Sequence, residues 1–581
     1  MKSGKDLRGN QSASLVVATA SFLIFTAHVF GQEVEHLSIT QKGGMPGMPI
    51  VTGIQRVTNG VKITWDGPPG YYQLLGRLGL TTQPWENVGG PNATRTTTLT
   101  NIQGDAFFRV SGPSPNYAGA QACAECHEGV HSAELHTQHA GAFTNSLFVA
   151  KGGQTNSSCL PCHTVGFGLP TGFVSKDDPN TNPRLAGVQC ESCHGPAANH
   201  AANENDISVR PRAEIAATVC GGCHNEVSHR PHYEEWITSG HAKVSEENMN
   251  PNSCGRCHIG SARIAMVKGD LVPQNDRHIG ITCVVCHDPH ATHVWTNQVS
   301  GLTYTNQLRN PLSSTNDYFL TTSDVFSNKY DLHINICAQC HNSRGARWDG
   351  RSYGYSNGVY VLTTNVSFSR PPHHSPQYNM LLATVGVVPT NVSVRAAAHA
   401  GTRFLTDFMG QKHLVTNQCV TCHMQTEPQQ AGPPEVPAVT GHEFKASSFA
   451  ACADCHGGGA NEESLRDWRE MISNRIQEVK GLLDTWAATS SPDVLRTKYG
   501  TLAWEYDNAG ELSSPDGTLR GPVSSSDPNK DEQKYIPENI KRARFNLYVV
   551  AYDGSLGVHN PVYSQTLLDA AEDWVAQELY E

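Results

Sequence analysis

The segment Val188–His200, VQCESCHGPAANH, contains the pattern that decides the fold of this chain. Two cysteines, Cys190 and Cys193, are separated by two residues, and a histidine directly follows the second cysteine. The same C-x-x-C-H pattern occurs nine times between residues 123 and 456, and the nine copies use all 18 cysteines. Such a strict repeat predicts that every copy binds the same kind of group.

The spacing has a chemical reason that points to haem of the c type. Two thiols can add to the two vinyl groups of one haem, and the imidazole that follows then reaches the iron. Numbered in chain order from motif one to motif nine, the predicted attachment cysteines are Cys123 and Cys126, Cys159 and Cys162, Cys190 and Cys193, Cys220 and Cys223, Cys254 and Cys257, Cys283 and Cys286, Cys337 and Cys340, Cys419 and Cys422, and Cys452 and Cys455. The predicted proximal iron ligands are His127, His163, His194, His224, His258, His287, His341, His423 and His456.

Two other uses of paired cysteines fit the pattern less well. Disulfides in an exported chain do not require a histidine after every second cysteine. Zinc ribbons combine two C-x-x-C pairs around one ion and do not need that histidine either. The sequence therefore predicts nine covalently bound haem c groups as the cofactors.

The second axial ligand of most haems is also predicted to be histidine. The 28 histidines, less the nine in the motifs and two near the N-terminus, leave 17 candidates, against five methionines in the motif region. Two imidazoles close the iron to substrate, and histidine in place of methionine lowers the reduction potential. The preferred candidates are His139, His200, His241, His278, His290, His374, His413, His442 and His559, and the reserves are His131, His136, His229, His232, His293, His333, His373 and His399.

The net charge bears on the partners of the protein, and the N-terminal segment indicates that it is exported. The formal charge of −11 argues against nucleic acid as a partner, because nucleic-acid-binding proteins carry basic patches. Residues 1–31 are predicted to be a signal peptide, with basic residues before the apolar run Leu15–Phe30. An uncleaved anchor is the alternative, but this run is shorter than the roughly 20 residues of a spanning helix. No later stretch is apolar enough to span a bilayer, so a periplasmic or extracellular location is expected.

Local patterns predict a multidomain chain around the motifs. The run Gly60–Trp65 alternates polar and apolar residues as a strand does, and we expect a small β-sandwich of fibronectin III or immunoglobulin type at residues 32–113. Residues 114–459 are predicted to form a loop-rich, mainly helical nonahaem cytochrome c domain. Apolar residues at helical spacing between Leu465 and Trp486 predict a C-terminal helical bundle at residues 460–581, with further helices at Val494–Gly510, Pro537–Tyr552 and Val562–Leu579.

Several of these residues carry a family resemblance. Cys123-Ala-Glu-Cys126-His127 with His139, and Cys190-Glu-Ser-Cys193-His194-Gly195-Pro196, resemble the cytochrome c-554/c-552 type domain of tetrahaem cytochromes. The wider superfamily includes pentahaem nitrite reductases, octahaem hydroxylamine oxidoreductases and octahaem tetrathionate reductases. The segment Asn546–Asn560 resembles the C-terminal helical part of such proteins. The resemblance implies closely stacked haems that form a continuous electron path.

The resemblance leaves more than one function open. We expect extracytoplasmic electron transfer, with redox partner proteins or a terminal electron acceptor as partners. The alternative is an oxidoreductase that acts on nitrite, hydroxylamine or tetrathionate at one open haem, with an anion held by Arg344, Arg347, Arg351 and Arg370. All nine motifs end in histidine, whereas ammonia-forming nitrite reductases commonly use C-x-x-C-K, which argues against nitrite reduction. A third reading is a conductive element in a homo-oligomer or a surface complex; no catalytic residue is assigned.

Overall fold

Short β-strands form the first part of the chain in the computed structural model. They are β1 Ser14–Thr19, β2 Leu23–His28, β3 Ile50–Val57, β4 Gly60–Asp66, β5 Tyr72–Arg77, β6 Glu86–Asn92, β7 Thr96–Thr100 and β8 Phe107–Ser111. One sheet has the order β2-β1-β8-β5-β6 and the other the order β3-β4-β7. Strands β1 and β2 lie within the predicted signal peptide, whose cleavage stays a prediction.

The structure describes a large part of the chain, with gaps. The described residues are 14–19, 23–28, 50–57, 60–66, 72–77, 86–92, 94–100, 107–112, 115–228, 230–243, 249–252, 254–274, 279–296, 303–309, 336–351, 353–356, 359–362, 365–400, 405–406, 412–413, 418–430, 438–446, 448–450, 452, 456, 461–508, 510, 512, 528 and 530–580. Of the predicted site residues, Cys455 and His278 lie outside them.

Residues from the two sheets share one hydrophobic core. Ile63 and Trp65 point inward from β4 and are at most 2% exposed, as the period-two alternation of this strand predicts. They pack with Tyr72, Leu74 and Phe108 of the five-stranded sheet. The strand prediction for Gly60–Trp65 is thereby confirmed.

The motif region consists of short helices and loops. The helices are α1 Ala120–Ala124, α2 Glu128–Glu134, α3 Ser146–Ala150, α4 Leu160–His163, α5 Cys190–His194, α6 Ala198–Ala202, α7 Thr218–Gly221, α8 His232–Thr238, α9 Gly255–His258, α10 Gly260–Lys268, α11 Cys283–Cys286, α12 Gln377–Leu382 and α13 Gln418–His423. Three two-stranded hairpins lie among them, formed by β9 His293–Thr296 with β10 Thr303–Asn306, β11 Tyr353–Ser356 with β12 Val359–Leu362, and β13 Leu405–Thr406 with β14 Lys412–His413.

Three long α-helices and one short α-helix lie in the described residues of the C-terminal part of the chain. They are α14 Glu462–Thr489, α15 Asp493–Tyr499, α16 Glu538–Tyr552 and α17 Pro561–Tyr580. Three of the four helices predicted here are confirmed. The helix predicted for Val494–Gly510 is wrong beyond Tyr499, because Gly500 has φ +56° and the chain then turns to bury Trp504. In the described part of the chain, no helix is both long and apolar enough to cross a membrane.

The chain divides into two compact units. Unit one comprises residues 1–234, 282–292 and 429–438, and unit two comprises residues 235–281, 293–428 and 439–581. Motifs one, two, three, four and six belong to unit one, and motifs five, seven, eight and nine belong to unit two. This division cuts across the predicted segment 114–459, so the three-part layout stays a prediction.

Candidate haem-binding sites

Each motif for which the backbone is described forms about one turn of helix. The backbone N–H of His127 donates to the carbonyl of Cys123 at 2.8 Å, and His341 donates to Cys337 at 2.9 Å. The same bond links His224 to Cys220 and His258 to Cys254. One turn therefore brings the two thiols and the imidazole to the same side of the chain, which is where one porphyrin would need them.

Six motif histidines face a second histidine from elsewhere in the sequence. The distance between ring centres is 5.9 to 6.3 Å in every pair. The pairs are His139 with His224, His194 with His290, His241 with His341, His258 with His373, His399 with His456, and His423 with His559. Both members of each pair lie in the same unit.

These distances fit an iron atom between the two rings. A metal–imidazole bond is about 2 Å long and each ring centre lies about 1 Å beyond its nitrogen, so two axial ligands have centres about 6 Å apart. Among the residues that the structure describes, no three His, Cys, Asp or Glu side chains converge as they would around a bare metal ion. The paired arrangement suits haem, whose porphyrin supplies the other four nitrogens.

Hydrogen bonds orient several of these imidazoles. The Nδ1–H of His194 donates to the carbonyl of Arg212 at 2.6 Å, and that of His423 donates to the carbonyl of Phe444 at 3.2 Å. The Nδ1 of His373 meets the Ser375 hydroxyl at 2.9 Å. A ring held through Nδ1 presents Nε2 to the iron, as in most protein metal sites.

Burial keeps several of the paired imidazoles neutral. The pKa of His241 and of His373 falls to about 4, mainly because of desolvation and to a smaller extent because of neighbouring basic side chains. Desolvation likewise lowers the pKa of His224 to about 4. At neutral pH these rings therefore keep the lone pair that binds a metal.

The structure places the predicted distal histidines in three situations. His139, His241, His290 and His559 face motif histidines. His200 has a buried Nδ1 without a hydrogen-bond partner among the described residues, and the Nδ1 of His442 meets the carbonyl of Thr440 at 3.1 Å. The remaining three predicted residues are His413, which lies in β14, His278, which is not described, and His374, whose ring stacks on Tyr552.

Two partners came from the reserve set. His373 faces His258, whereas the preferred neighbour His374 stacks on the Tyr552 ring with centres 3.5 Å apart. His399 faces His456. The reserve His232 also contacts His224, at 5.3 Å with nearly perpendicular rings. The sequence around these reserve histidines does not mark them as partners, because tertiary packing determines which ring faces a motif histidine.

Motif two has a different ring neighbour. The imidazole of His163 stacks on Phe148, with centres 4.0 Å apart and planes 13° from parallel. Its Nδ1–H donates to the carbonyl of Ala142 at 2.9 Å. Asn145 caps the helix that carries Phe148 by accepting from the N–H groups of Leu147 and Phe148. The proximal ring of motif two is thus held from its face as well as from its edge.

The cysteines of different motifs lie close together. The 17 described cysteines are free thiols, and they stand in for the thioether sulfurs of attached haem. Pairs of thiols from different motifs lie side by side, namely Cys123 with Cys190, Cys162 with Cys223, Cys220 with Cys283, Cys257 with Cys340, and Cys337 with Cys419. Cys193 lies near Cys220 and Cys223, and Cys422 lies near Cys452. The porphyrin edges of these motifs would therefore be neighbours.

Two carboxylates that the sequence analysis did not single out hold motif segments in place. Glu191, inside motif three and 2% exposed, accepts from the backbone N–H groups of Ala118, Gly119 and Ala197 at 2.7 to 3.0 Å. Glu235 accepts from the N–H of Thr440 and of His442, each at 2.8 Å. A carboxylate with several backbone donors fixes loop geometry strongly.

Two of the four arginines proposed for anion binding are paired with a neighbouring carboxylate. Arg347 and Arg351 both donate to the carboxylate of Asp349, at 3.1 and 2.5 Å. Burial opposes the charge of Asp349, but hydrogen bonds from both arginines lower its pKa to about 2. This cluster offers two cations that are already paired with an anion.

Comparisons with known proteins agree with this chemistry. The family model "Cytochrome c554 and c-prime" matches residues 122–195, and "Cytochrome c7 and related cytochrome c" matches residues 173–259. A C-type polyheme cytochrome, OmcB of Geobacter sulfurreducens, is 25% identical over 297 residues, which are 46% of this chain and 35% of that protein. Cytochrome c-554 of Nitrosomonas europaea is 31% identical over 96 residues, 14% of this chain and 40% of that protein.

A solved structure also matches. The outer cell wall cytochrome OcwA aligns with a TM-score of 0.44 and 19% identity, over 79% of this chain and 99% of that one. The chain spans about a third to two fifths of the length of the two curated relatives.

Proposed function

We propose that this chain transfers electrons outside the cytoplasm through nine covalently bound haems. It is a multihaem c-type cytochrome, and the comparisons confirm this predicted family. The observation that carries the proposal is the set of six histidine pairs with ring centres 5.9 to 6.3 Å apart. When bound, haem supplies an iron that cycles between two oxidation states. The residues of the chain attach it, ligate it and exclude other ligands.

Paired axial histidines favour a carrier over a catalyst. An iron with two imidazoles has no coordination position for a substrate, and its geometry changes little when an electron arrives. Six motif histidines have such a partner, and Arg347 and Arg351, two of the four candidate anion ligands, are paired with Asp349. The proposed distal ligands are His139, His241, His290, His373, His399 and His559.

Close packing of the motifs supports electron transfer among the haems of each unit. In unit one, the thiols of motif four contact those of motifs two and six and lie near a thiol of motif three. In unit two, contacts run from motif five to seven and on to eight and nine. Electron tunnelling falls steeply with distance, so neighbouring porphyrin edges favour a continuous path.

A relative supports electron transfer through several haems. OmcB is named as a C-type polyheme cytochrome, and we extend this role to the present chain by analogy. The proposed partners are redox proteins or a terminal electron acceptor. The predicted signal peptide at residues 1–31 belongs to this proposal.

The test combines a haem count with a spin count. The mass of the purified protein, measured by mass spectrometry, should exceed the polypeptide mass by nine haems. A quantified electron paramagnetic resonance (EPR) spectrum of the oxidised protein should be dominated by low-spin iron. The fully reduced protein should then be reoxidised by several unrelated soluble ferric complexes. Fewer than nine haems would contradict the count. A high-spin iron together with turnover of nitrite, hydroxylamine or tetrathionate would replace the carrier by an oxidoreductase.

A further inference from the structure

A buried carboxylate lies behind one of the candidate axial ligands. The Oδ1 of Asp553 accepts a hydrogen bond from the Nδ1–H of His559 at 2.7 Å, and the Asp553 side chain is 1% exposed. His559 is the residue that faces His423 of motif eight. The carboxylate is therefore one hydrogen bond away from the imidazole that would bind the iron.

The loop between α16 and α17 fixes this arrangement. The backbone N–H of Asp553 donates to the carbonyl of Val549 at 3.1 Å, and the N–H of His559 donates to the hydroxyl of Ser555 at 3.2 Å. The same hydroxyl donates to Oδ2 of Asp553. Gly557 has φ +84°, and a Cβ there would lie 3.0 Å from Ile472 and Trp468, so the loop is packed against α14.

Other imidazoles of the candidate sites are held by neutral oxygens. Backbone carbonyls accept from His163, His194 and His423, and a hydroxyl contacts His373. A full negative charge attracts the Nδ1 proton more strongly than a carbonyl does, especially where water is excluded. It thereby gives the ring more imidazolate character and makes Nε2 a stronger donor to iron.

We propose that Asp553 is a positioning residue that lowers the reduction potential of the haem attached to Cys419 and Cys422. Stronger donation stabilises ferric over ferrous iron, and the negative charge itself opposes the arrival of an electron. This inference rests on the proposed function, because it takes His423 and His559 as axial ligands. Motif eight lies between motifs seven and nine in the row of neighbouring thiols of unit two. Because its reduction potential is lowered, its haem would hold an electron only briefly as the electron passes along this row.

The experiment is an EPR-monitored redox titration of the Asp553→Asn variant of the holoprotein. We expect nine haems, an unchanged number of low-spin irons, and one haem whose ratio of reduced to oxidised form at a fixed potential rises about tenfold, which is 59 mV for one electron. Asp569→Asn makes the same change in charge at a carboxylate that pairs with Arg475, and should leave every potential unchanged. A titration of Asp553→Asn that coincides with that of the parent protein would overturn the inference.

Two more variants distinguish a failure of this inference from a failure of the proposed ligation. Ser555→Ala removes the hydroxyl that donates to Oδ2, so the carboxylate gains charge density and the same haem should become harder to reduce. This variant gives an answer even if Asp553→Asn does not fold; an unchanged or raised potential in it contradicts the inference. His559→Ala should convert one iron to high spin. If it does not, the ligation in the proposed function is wrong, whereas high-spin iron in His559→Ala with unshifted potentials in the other variants removes only the role of Asp553.

Discussion

An imidazole has two ring nitrogens, and a hydrogen bond at one of them leaves the other to bind iron. His373 has its Nδ1 at the Ser375 hydroxyl, which leaves Nε2 for a metal, and its ring centre is 5.9 Å from that of His258. The adjacent His374 instead stacks on Tyr552. Neighbouring residues of the same type therefore have different roles, and a pair of single substitutions can separate them.

We predict that His373→Ala converts one low-spin haem of the oxidised protein to high spin, because its iron loses one axial nitrogen. His374→Ala is the matched control and should leave the spin count unchanged. Quantified EPR spectra of the two variants, both checked for nine haems by mass, give the comparison. A high-spin signal in the control variant alone would assign the ligand to His374 instead.

The two kinds of axial histidine differ in how far sequence can predict them. A motif histidine is set by a spacing of four residues, so His258 can be named from local pattern alone. Its partner comes from a different loop, and the choice between His373 and His374 depends on which side chain packs onto Tyr552. His399 was a reserve candidate for the same reason, since nothing in the segment around it marks the ring that it faces.

Helices at the C-terminal end bury one continuous core. Leu483 of α14 and Leu567 of α17 are fully buried, and Met380 of α12 belongs to the same core. Asn546 of α16 links the helices to the motif region, because its side chain bonds both the N–H and the carbonyl of Val387 at 2.8 and 2.7 Å. The helices thus support the loops that carry histidines rather than forming an isolated bundle.

Replacement of Leu483 by alanine should lower the free energy of unfolding by about 2 to 5 kcal/mol, because it leaves a cavity in this core. Val494→Ala removes methyl groups from a side chain that is 44% exposed and should change stability by less than about 0.5 kcal/mol. Denaturant unfolding of both holoproteins, followed by far-ultraviolet circular dichroism, measures the difference. Equal losses would show that position 483 is not in a cooperative core.

Regular helices could be predicted because their signal is local. The apolar residues of α14 recur every three to four positions, and the helix has the predicted extent to within a few residues. The end of α15 could not be predicted in this way. Trp504 lies beyond that end and is buried with its Nε1–H donating to Asp484 at 2.8 Å, a contact that no periodicity reveals.

The whole chain arranges its motifs in two different patterns. In unit one, motif four is in contact with motifs two and six and is near motif three, which in turn contacts motif one. In unit two, the contacts follow a single line through motifs five, seven, eight and nine. This spatial order differs from the order along the chain, and spacing alone could not predict it.

We predict that loss of the haem of motif four, through Cys220→Ser with Cys223→Ser, slows electron redistribution within unit one by at least an order of magnitude. Motifs two and six would each lose the neighbour that their thiols contact. Cys123→Ser with Cys126→Ser removes the haem of motif one, which lies at an end, and should slow the process much less. Time-resolved absorption after photochemical injection of one electron, on variants shown to retain eight haems, measures the rates. Equal slowing in both variants would contradict a branch point at motif four.

The position of His559 has a consequence for biogenesis. Polypeptides are made and exported from the N-terminus, so Cys419, Cys422 and His423 emerge before the loop that carries His559. Haem can therefore be attached to motif eight while its iron still lacks the second imidazole. With His559 as the second ligand, maturation would pass through a stage with a reactive iron, and docking of the loop between α16 and α17 would end that stage. A chain truncated before the loop that carries His559 would leave this iron without its second imidazole and open to oxygen and peroxide.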